Sequence, residues 1–375
     1  MANKILMVSD SYFQFIIESN LRSTIYKNDV VDLLMYDNSV GAKDVYNRIK
    51  DLGFFRNVFL GQSPLLFCGN KITQRQKINK YTSYLKSLAF PESVLKNILP
   101  MNMDNQYDIV IFNSWGAMIS AVFNYCYRRN PNVICYRIEE GIASALSEWH
   151  DKRDTRLKIE RTCAKLFRTN MLTDYVKGIY FFEPQLVQFK STCPILSMPK
   201  LSRDNKSLCD FIFTAFDLYT MHDKYEQKFI IFEDGNTFFA DSNDDLEIIK
   251  AVVDVVGVEN VFVKLHPRTK VNRFEPMGIT TNKDIGIPWE AIMLFRNFNH
   301  KVFITTSSGA AMTGLLYFND NSNTIMNFKC MKHQQSIVTP LFLKYLSDVQ
   351  QRFGNNKLNI PNNMTELTNI IRQLS

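Results

Sequence analysis

The fold class predicted for this chain is α/β, with two doubly wound parallel sheets in two domains facing across a cleft. Three observations predict it. Apolar, β-rich runs alternate with amphipathic helical stretches in two separate blocks, as right-handed βαβ units require. The 375 residues exceed one compact core, and two domains of roughly 150–200 residues are the natural division. Finally, three polar clusters each stand directly after an apolar run, where open α/β sheets place their ligands.

The elements follow in order. Residues 5–9 read as a strand, 12–26 as an amphipathic helix and 30–36 as a second strand. A helix near 42–52 and a short strand at 58–60 come next. A long helical stretch spans 76–99, and strands return at 108–112 and 133–138. The second block opens with a strand at 228–232, followed by a helix at 244–256 and strands at 261–263, 302–304 and 323–327. Helices at 341–352 and 364–374 close it. Between the blocks, residues 190–225 show weak periodicity with Pro194, Pro199 and several Ser and Asn residues, which places the domain connection near 190–200. The expected domains are 1–195 and 196–375.

Composition narrows the function classes. Hydrophobic residues at 46% and charged residues at 22% exclude a disordered chain. No apolar run approaches the roughly 20 residues that span a bilayer. The opening Met1-Ala2-Asn3-Lys4-Ile5-Leu6 runs through a short apolar stretch into a polar turn, so it reads as a first strand rather than a signal peptide, and the expected location is cytoplasmic. The seven cysteines never form a Cys-x-x-Cys pair, and no His-x-x-x-His spacing occurs. Neither a disulfide framework nor a metal site is expected. The net charge of +7 favours an anionic partner without naming it. Its densest source opens at Lys152 and closes at Arg168, a basic helix face that is either simply solvated or a contact for the inner face of a membrane.

The three clusters carry the chemistry. Glu139-Glu140-Gly141 offers paired carboxylates; two that share a site cannot both ionise easily, which lifts one toward general-base use. Gly141 permits a sharp turn. A second acidic turn, Glu233-Asp234-Gly235, also follows a strand, and spacing alone does not choose between them. In Lys264-Leu265-His266-Pro267-Arg268, a histidine able to exchange protons near neutrality sits among cations, a setting suited to a phosphate leaving group. Thr305-Thr306-Ser307-Ser308-Gly309 reads as a strand entering a helix, where hydroxyls and free N–H groups either bind phosphate or merely cap the helix. Glu290 opens a helix between the last two clusters and could hold a ribose diol or stabilise the helix N-terminus. No Walker loop and no Gly-x-Gly-x-x-Gly follows the first strand. A base, an acid and a phosphate cradle together point to group transfer from an activated phosphate donor.

In this order, Glu139-Glu140-Gly141, His266-Pro267 and Ser307-Ser308 resemble the three signatures of the bacterial sialyltransferases of the GT-B type, which have two Rossmann-like domains. The C-terminal half is most similar to glycosyltransferase family 52, the lipooligosaccharide and capsule sialyltransferases, through His266-Pro267-Arg268, Gly278-Ile279-Thr280-Thr281 and Ser308-Gly309-Ala310-Ala311-Met312-Thr313. Polysialyltransferases share the same signatures. The resemblance covers residues 130–330 at motif level and selects Glu139-Glu140 over Glu233-Asp234.

It implies an inverting, metal-independent transfer of sialic acid from CMP-sialic acid to a sugar hydroxyl of a cell-surface glycan, without a cofactor. Glu140 would deprotonate the acceptor, with Glu139 and Gly141 in support, and His266 would assist departure of the phosphate. Ser307, Ser308 and Gly309 would hold that phosphate, Glu290 the ribose, and the Lys264 backbone the cytosine, with Pro267 and Arg268 beside them. The chain departs from many relatives in placing Ile142-Ala143-Ser144 where they have Thr or Ser directly after the glycine. Rival readings are a CDP-glycerol glycerophosphotransferase, a family 52 relative using a neutral sugar, and a non-catalytic basic binding protein.

Overall fold

The computed structural model describes residues 2–62, 82, 86, 89, 90, 92, 95, 106–113, 117–147, 155–234, 244–267, 269, 271–332 and 338–375. The chain divides into two compact units. The first holds Met1–Pro184, Phe189–Pro199 and Asp204–Phe216; the second holds Gln185–Gln188, Lys200–Arg203 and Asp217–Ser375.

In the first unit, seven strands form one sheet: β1 (Lys4–Ser9), β2 (Val30–Tyr36), β3 (Val58–Gly61), β4 (Ile109–Phe112), β5 (Ile134–Ile138), β6 (Val176–Phe181) and β7 (Ile195–Ser197). Their order is β3-β2-β1-β4-β5-β6-β7, and every pairing is parallel. Helices α1 (Tyr12–Ser23), α2 (Ala42–Ile49), α3 (Ala117–Arg129), α4 (Ile142–Leu146), α5 (Thr155–Phe167) and α6 (Lys206–Phe216) belong to the same unit. Strand β4 is buried along its whole length, which is why it reads as an unbroken apolar run rather than an alternating one.

Helix α6 lies in the stretch expected to be irregular. Its buried residues Leu208, Cys209, Phe211, Ile212, Ala215 and Phe216 nonetheless keep the 3.6-residue period. Phe211 stacks on Phe54 with centroids 4.0 Å apart, and Phe216 meets the edge of Tyr12 at 4.9 Å, so the helix closes over α1. The helical stretch expected at 76–99 falls largely outside the described residues.

The second unit repeats the plan with six parallel strands: β8 (Phe229–Phe232), β9 (Val261–Lys264), β10 (Thr280–Thr281), β11 (Val302–Thr305), β12 (Asn323–Met326) and β13 (Leu358–Asn359), in the order β10-β9-β8-β11-β12-β13. Its helices are α7 (Asp244–Val256), α8 (Trp289–Phe295), α9 (Pro340–Phe353) and α10 (Met364–Leu374). Successive side chains point to opposite faces of the sheet. Phe229, Ile231, Val261, Val263, Val302 and Ile304 accordingly pack with Ile248, Ile249 and Val252 of α7 and with Leu367 and Ile371 of α10. The intervening residues meet an aromatic cluster: the Trp289 ring lies 4.9 Å from Phe232 and 5.5 Å from Phe303. Helices α9 and α10 begin at capping side chains, Thr339 and Asn363, each accepting an N–H from the first turn.

Both units are thus Rossmann-like and doubly wound. In each, the strand order reverses beside the first strand, between β1 and β4 and between β8 and β11. Ligands of such sheets bind at the carboxyl ends of the strands flanking that switch point. Among the described residues, no helix is long and apolar enough to cross a membrane. The basic stretch between Lys152 and Arg168 is described only from residue 155; Lys158, Arg161 and Lys165 of α5 are exposed.

Candidate active site

In the second unit the two motifs of the C-terminal half stand on either side of β8, because both β9 and β11 pair with it. What joins them is the acidic turn Glu233-Asp234 at the end of β8. The backbone N–H of His266 donates to Glu233 Oε2 at 3.0 Å, and the Thr269 hydroxyl donates to the same oxygen. The Glu233 N–H in turn donates to Lys264 O at 3.0 Å, and Leu265 N–H donates to Asn282 Oδ1 at 2.6 Å. His266 therefore leaves β9 on a backbone fixed at every step. Its side chain is half-buried, Pro267 beside it is exposed, and Arg268 lies outside the described residues. The Lys264 carbonyl thus accepts one hydrogen bond from the strand beside it.

Asp234 does the same for the hydroxyl turn. Its Oδ2 accepts the N–H groups of Thr306 and Ser307, both at 3.1 Å, and its Oδ1 takes the Thr305 hydroxyl at 3.4 Å. Burial pushes its carboxyl up to about 6, against the pull of those hydrogen bonds. The N–H groups expected to cradle phosphate are thus already bound to a carboxylate. Ser308 is a cap: its Oγ accepts Ala310 N–H at 3.3 Å, at the start of a short 3-10 turn (Gly309–Met312) rather than an α-helix. The Ser307 hydroxyl and the Gly309 N–H have no partner among the described residues, and both residues are half-buried.

Glu290 and Lys264 form a buried polar group on the aromatic face. Glu290 sits in the first turn of α8, 8% exposed, where its Oε1 accepts the Thr313 hydroxyl at 3.3 Å. Burial raises its carboxyl; its own N–H, Lys264 and Thr313 oppose the rise. Lys264, 7% exposed, is pushed down to about 8 by burial, with the charges of Glu290 and Asp223 working the other way. Neither side chain reaches far into solvent.

In the first unit, Glu139 and Glu140 part company. Glu139 is buried and turns its carboxylate to the N–H of Phe182 at 3.2 Å, just past β6. Gly141, at φ 66°, makes the turn that an L side chain would resist, and the Ser144 hydroxyl braces it by accepting Glu140 N–H and donating to Gly141 O, both at 2.7 Å. Glu140 projects beyond the turn and is exposed as a residue, with its carboxylate against Asp10 and Gln14. Desolvation raises its carboxyl first and the Asp10 charge second; Arg137 and the Gln14 hydrogen bond oppose the rise. The expected carboxylate pairing therefore needs correcting: Asp10, not Glu139, is the acidic neighbour that lifts Glu140. Asp10 and Gln14 are the residues sequence reasoning passed over, although the polar turn after β1 was visible; Asp234 was seen in the second acidic turn and set aside in favour of Glu139-Glu140. Among the described residues, no group of three His, Cys, Asp or Glu side chains could hold a metal ion.

No family model matches the chain, and a comparison with curated proteins returns no match. Solved structures share the fold. The α/β-galactoside α-2,3-sialyltransferase of Photobacterium phosphoreum matches with a TM-score of 0.52 at 10% identity, over 98% of this chain and 100% of that one. The UDP-GlcNAc 2-epimerase of Methanocaldococcus jannaschii matches with the same TM-score and identity, over 98% of this chain and 91% of that one. At this identity the likeness is one of architecture, and it agrees with the two-domain GT-B fold.

Proposed function

We propose that the protein is an inverting, metal-independent glycosyltransferase that moves sialic acid from CMP-sialic acid to a sugar hydroxyl of a lipooligosaccharide or capsular glycan, in the manner of family 52. The observation that carries this reading is the joining of His266 and the Ser307–Ser308 turn through the adjacent carboxylates of Glu233 and Asp234, at the switch point of one sheet. A histidine backbone and a hydroxyl turn fixed by two successive residues form a rigid site for a phosphate and its departing charge.

The chemistry is a single displacement. Glu140 takes the proton of the acceptor hydroxyl as its oxygen bonds to the anomeric carbon of the donor sugar. The bond from that carbon to the phosphate oxygen breaks, and cytidine monophosphate leaves with the electron pair. His266 balances the growing charge as acid or electrostatic partner. Ser307 and Gly309 hold the phosphate through the hydroxyl and N–H that have no partner among the described residues, and Ser308 shapes their turn. Glu290 and Lys264 serve the nucleoside, with Pro267 and Arg268 at the rim. The exposed cations of α5 are proposed to hold the enzyme near the inner face of the membrane, where lipid-linked acceptors reside.

Donor turnover tests the reading. The purified protein is given CMP-sialic acid, CDP-glycerol and UDP-GlcNAc separately, in EDTA, with galactosides and sialosides as acceptors. Transfer from CMP-sialic acid alone, lost in Glu140→Ala and strongly reduced in His266→Ala, is expected. Consumption of CDP-glycerol or UDP-GlcNAc instead would reassign the donor. No turnover with any donor, together with no CMP binding by calorimetry, would sink the enzymatic reading.

A further inference from the structure

Thr313 stands at a junction of the second unit. Before it run the Ser307–Ser308 turn and the short 3-10 turn (Gly309–Met312); after it comes a π-helical turn (Gly314–Phe318). Its backbone N–H donates to Ala310 O, so it closes the turn that Ser308 opens. A threonine in a helical stretch commonly returns its hydroxyl to a carbonyl three or four residues back. Thr313, fully buried, sends its hydroxyl across to α8 instead, where it donates to Glu290 Oε1 at 3.3 Å. Gly314 permits that approach: a Cβ there would stand 2.5 Å from Ser322 Oγ and 3.4 Å from the Met293 methyl of α8.

The backbone on both sides of Thr313 is pinned from outside. The Thr324 hydroxyl of β12 donates to Ala311 O and the Asp320 N–H to Gly314 O, both at 2.9 Å, and the Lys200 ammonium donates to Leu315 O at 3.1 Å. Single π-helical turns recur beside functional sites. Glu290 is held on one side only. Its side chain is buried, Thr313 occupies Oε1, and among the described residues no hydrogen bond from another residue reaches Oε2. A buried carboxylate with one oxygen fixed and the other unserved is an acceptor set for a ligand's hydroxyl donors.

We propose that Thr313 is a positioning residue for the nucleoside: its hydroxyl fixes one oxygen of Glu290 so that the other meets the ribose diol, and its backbone ties that carboxylate to the turn that holds the phosphate. The substrate class this selects is the ribonucleotide over the deoxyribonucleotide. The proposal deepens the proposed function and rests on its reading of Glu290 as the ribose carboxylate. One rigid stretch, from Ser307 to Thr313, then sets the spacing between phosphate and sugar.

Two measurements on the intact protein test it. The first is a carboxyl-carbon NMR titration with 13C at the glutamate side-chain carboxyl, Glu290→Gln assigning the resonance. Thr313→Val keeps the shape but removes the donor, and should raise the Glu290 midpoint by about one pH unit. Thr313→Ser should restore it. The charges of Lys264 and of Asp223 beside it are the same in every variant, so the comparison isolates the hydroxyl. A midpoint unmoved in Thr313→Val would overturn the positioning role.

The second is calorimetric binding of CMP and of 2′,3′-dideoxycytidine monophosphate. Wild type should prefer CMP by roughly ten- to a hundredfold, the worth of hydrogen bonds to a charged group. Thr313→Val should cut that preference by about fivefold and leave the dideoxy affinity unchanged. Equal losses for both nucleotides would make Thr313 a packing residue and overturn the proposal. A preference that survives intact in Thr313→Val overturns the Thr313 role alone, whereas a wild type without any preference overturns the ribose reading of Glu290 and the proposal with it. Should Thr313→Val not fold, Thr313→Ala reads the same two quantities against the same outcomes.

Discussion

The carboxylate of Asp234 accepts the backbone N–H of Ser307 at 3.1 Å, and the same oxygen accepts its neighbour Thr306 at the same distance. Its carboxyl stands at about 6 against an ordinary 3.8 because burial outweighs those bonds. A raised carboxyl favours the protonated fold, so its contribution to stability is full below its ordinary value and is lost as pH rises through about 6. Replacing it by Asn removes this dependence while keeping an acceptor oxygen. Thermal unfolding of wild type and Asp234→Asn across pH should show the wild type losing ground to the variant as pH rises through that window. A constant difference in Tm would count against the assignment.

Ser307 and Ser308 should separate cleanly. The Ser307 hydroxyl has no partner among the described residues, whereas the Ser308 hydroxyl caps the 3-10 turn. Ser307→Ala should therefore weaken CMP binding by roughly ten- to a hundredfold, the worth of a hydrogen bond to a charged group, with little change in Tm. Ser308→Ala should cost about 1 kcal/mol of stability, as lost caps do. Calorimetric CMP titration beside urea unfolding reads both, and equal effects from the two variants would refute the division.

Glu233 is the tether of His266. Glu233→Ala strips the acceptor from the His266 N–H and the Thr269 hydroxyl and leaves the Arg273 guanidinium, 3.6 Å away, without that partner. The expected cost is about 2–4 kcal/mol in urea unfolding. In the assay the loss should fall on kcat more than on KM, because His266 acts on the departing phosphate. A variant that keeps wild-type kcat would show that the tether does not position the histidine.

The strands that were legible were the apolar, β-branched ones, such as β1, β2, β4, β9 and β11, whose burial on both faces erases alternation but leaves an unmistakable run. β6 was passed over because Lys177 and Gly178 interrupt it, and β10 and β13 because two residues carry no pattern. α6 kept its helical period, but the prolines and polar residues before it masked the signal. At the site, Glu140, His266 and Ser307 were visible as polar residues directly after strands. Asp10 was not, and Asp234 stood in the acidic turn that the resemblance set aside, because the meaning of both depends on strand order. Only the pairing of β1 with β4 and of β8 with β11 makes those two aspartates switch-point residues.

Lys264 and Glu290 provide the last test, since both are buried charges within reach of each other. Lys264→Met leaves Glu290 with the Thr313 hydroxyl but no compensating cation, and should cost about 3 kcal/mol, as breaking buried pairs does. Glu290→Gln leaves the ammonium equally exposed to desolvation. The double variant should lose less than the sum of the two, with a coupling of about 1–3 kcal/mol in a double-mutant cycle. The sign with pH follows from the Lys264 value of about 8, below its ordinary 10.5. A depressed lysine favours the neutral fold at high pH, so wild type should gain on Lys264→Met as pH rises from about 8 toward 10.5. Strict additivity would show that the two charges do not interact, and a gap that does not grow over that range would show that burial does not depress the Lys264 ammonium. If the pair also serves the nucleoside, Glu290→Gln should weaken CMP binding while leaving inorganic phosphate binding unchanged, since only the former presents a ribose diol.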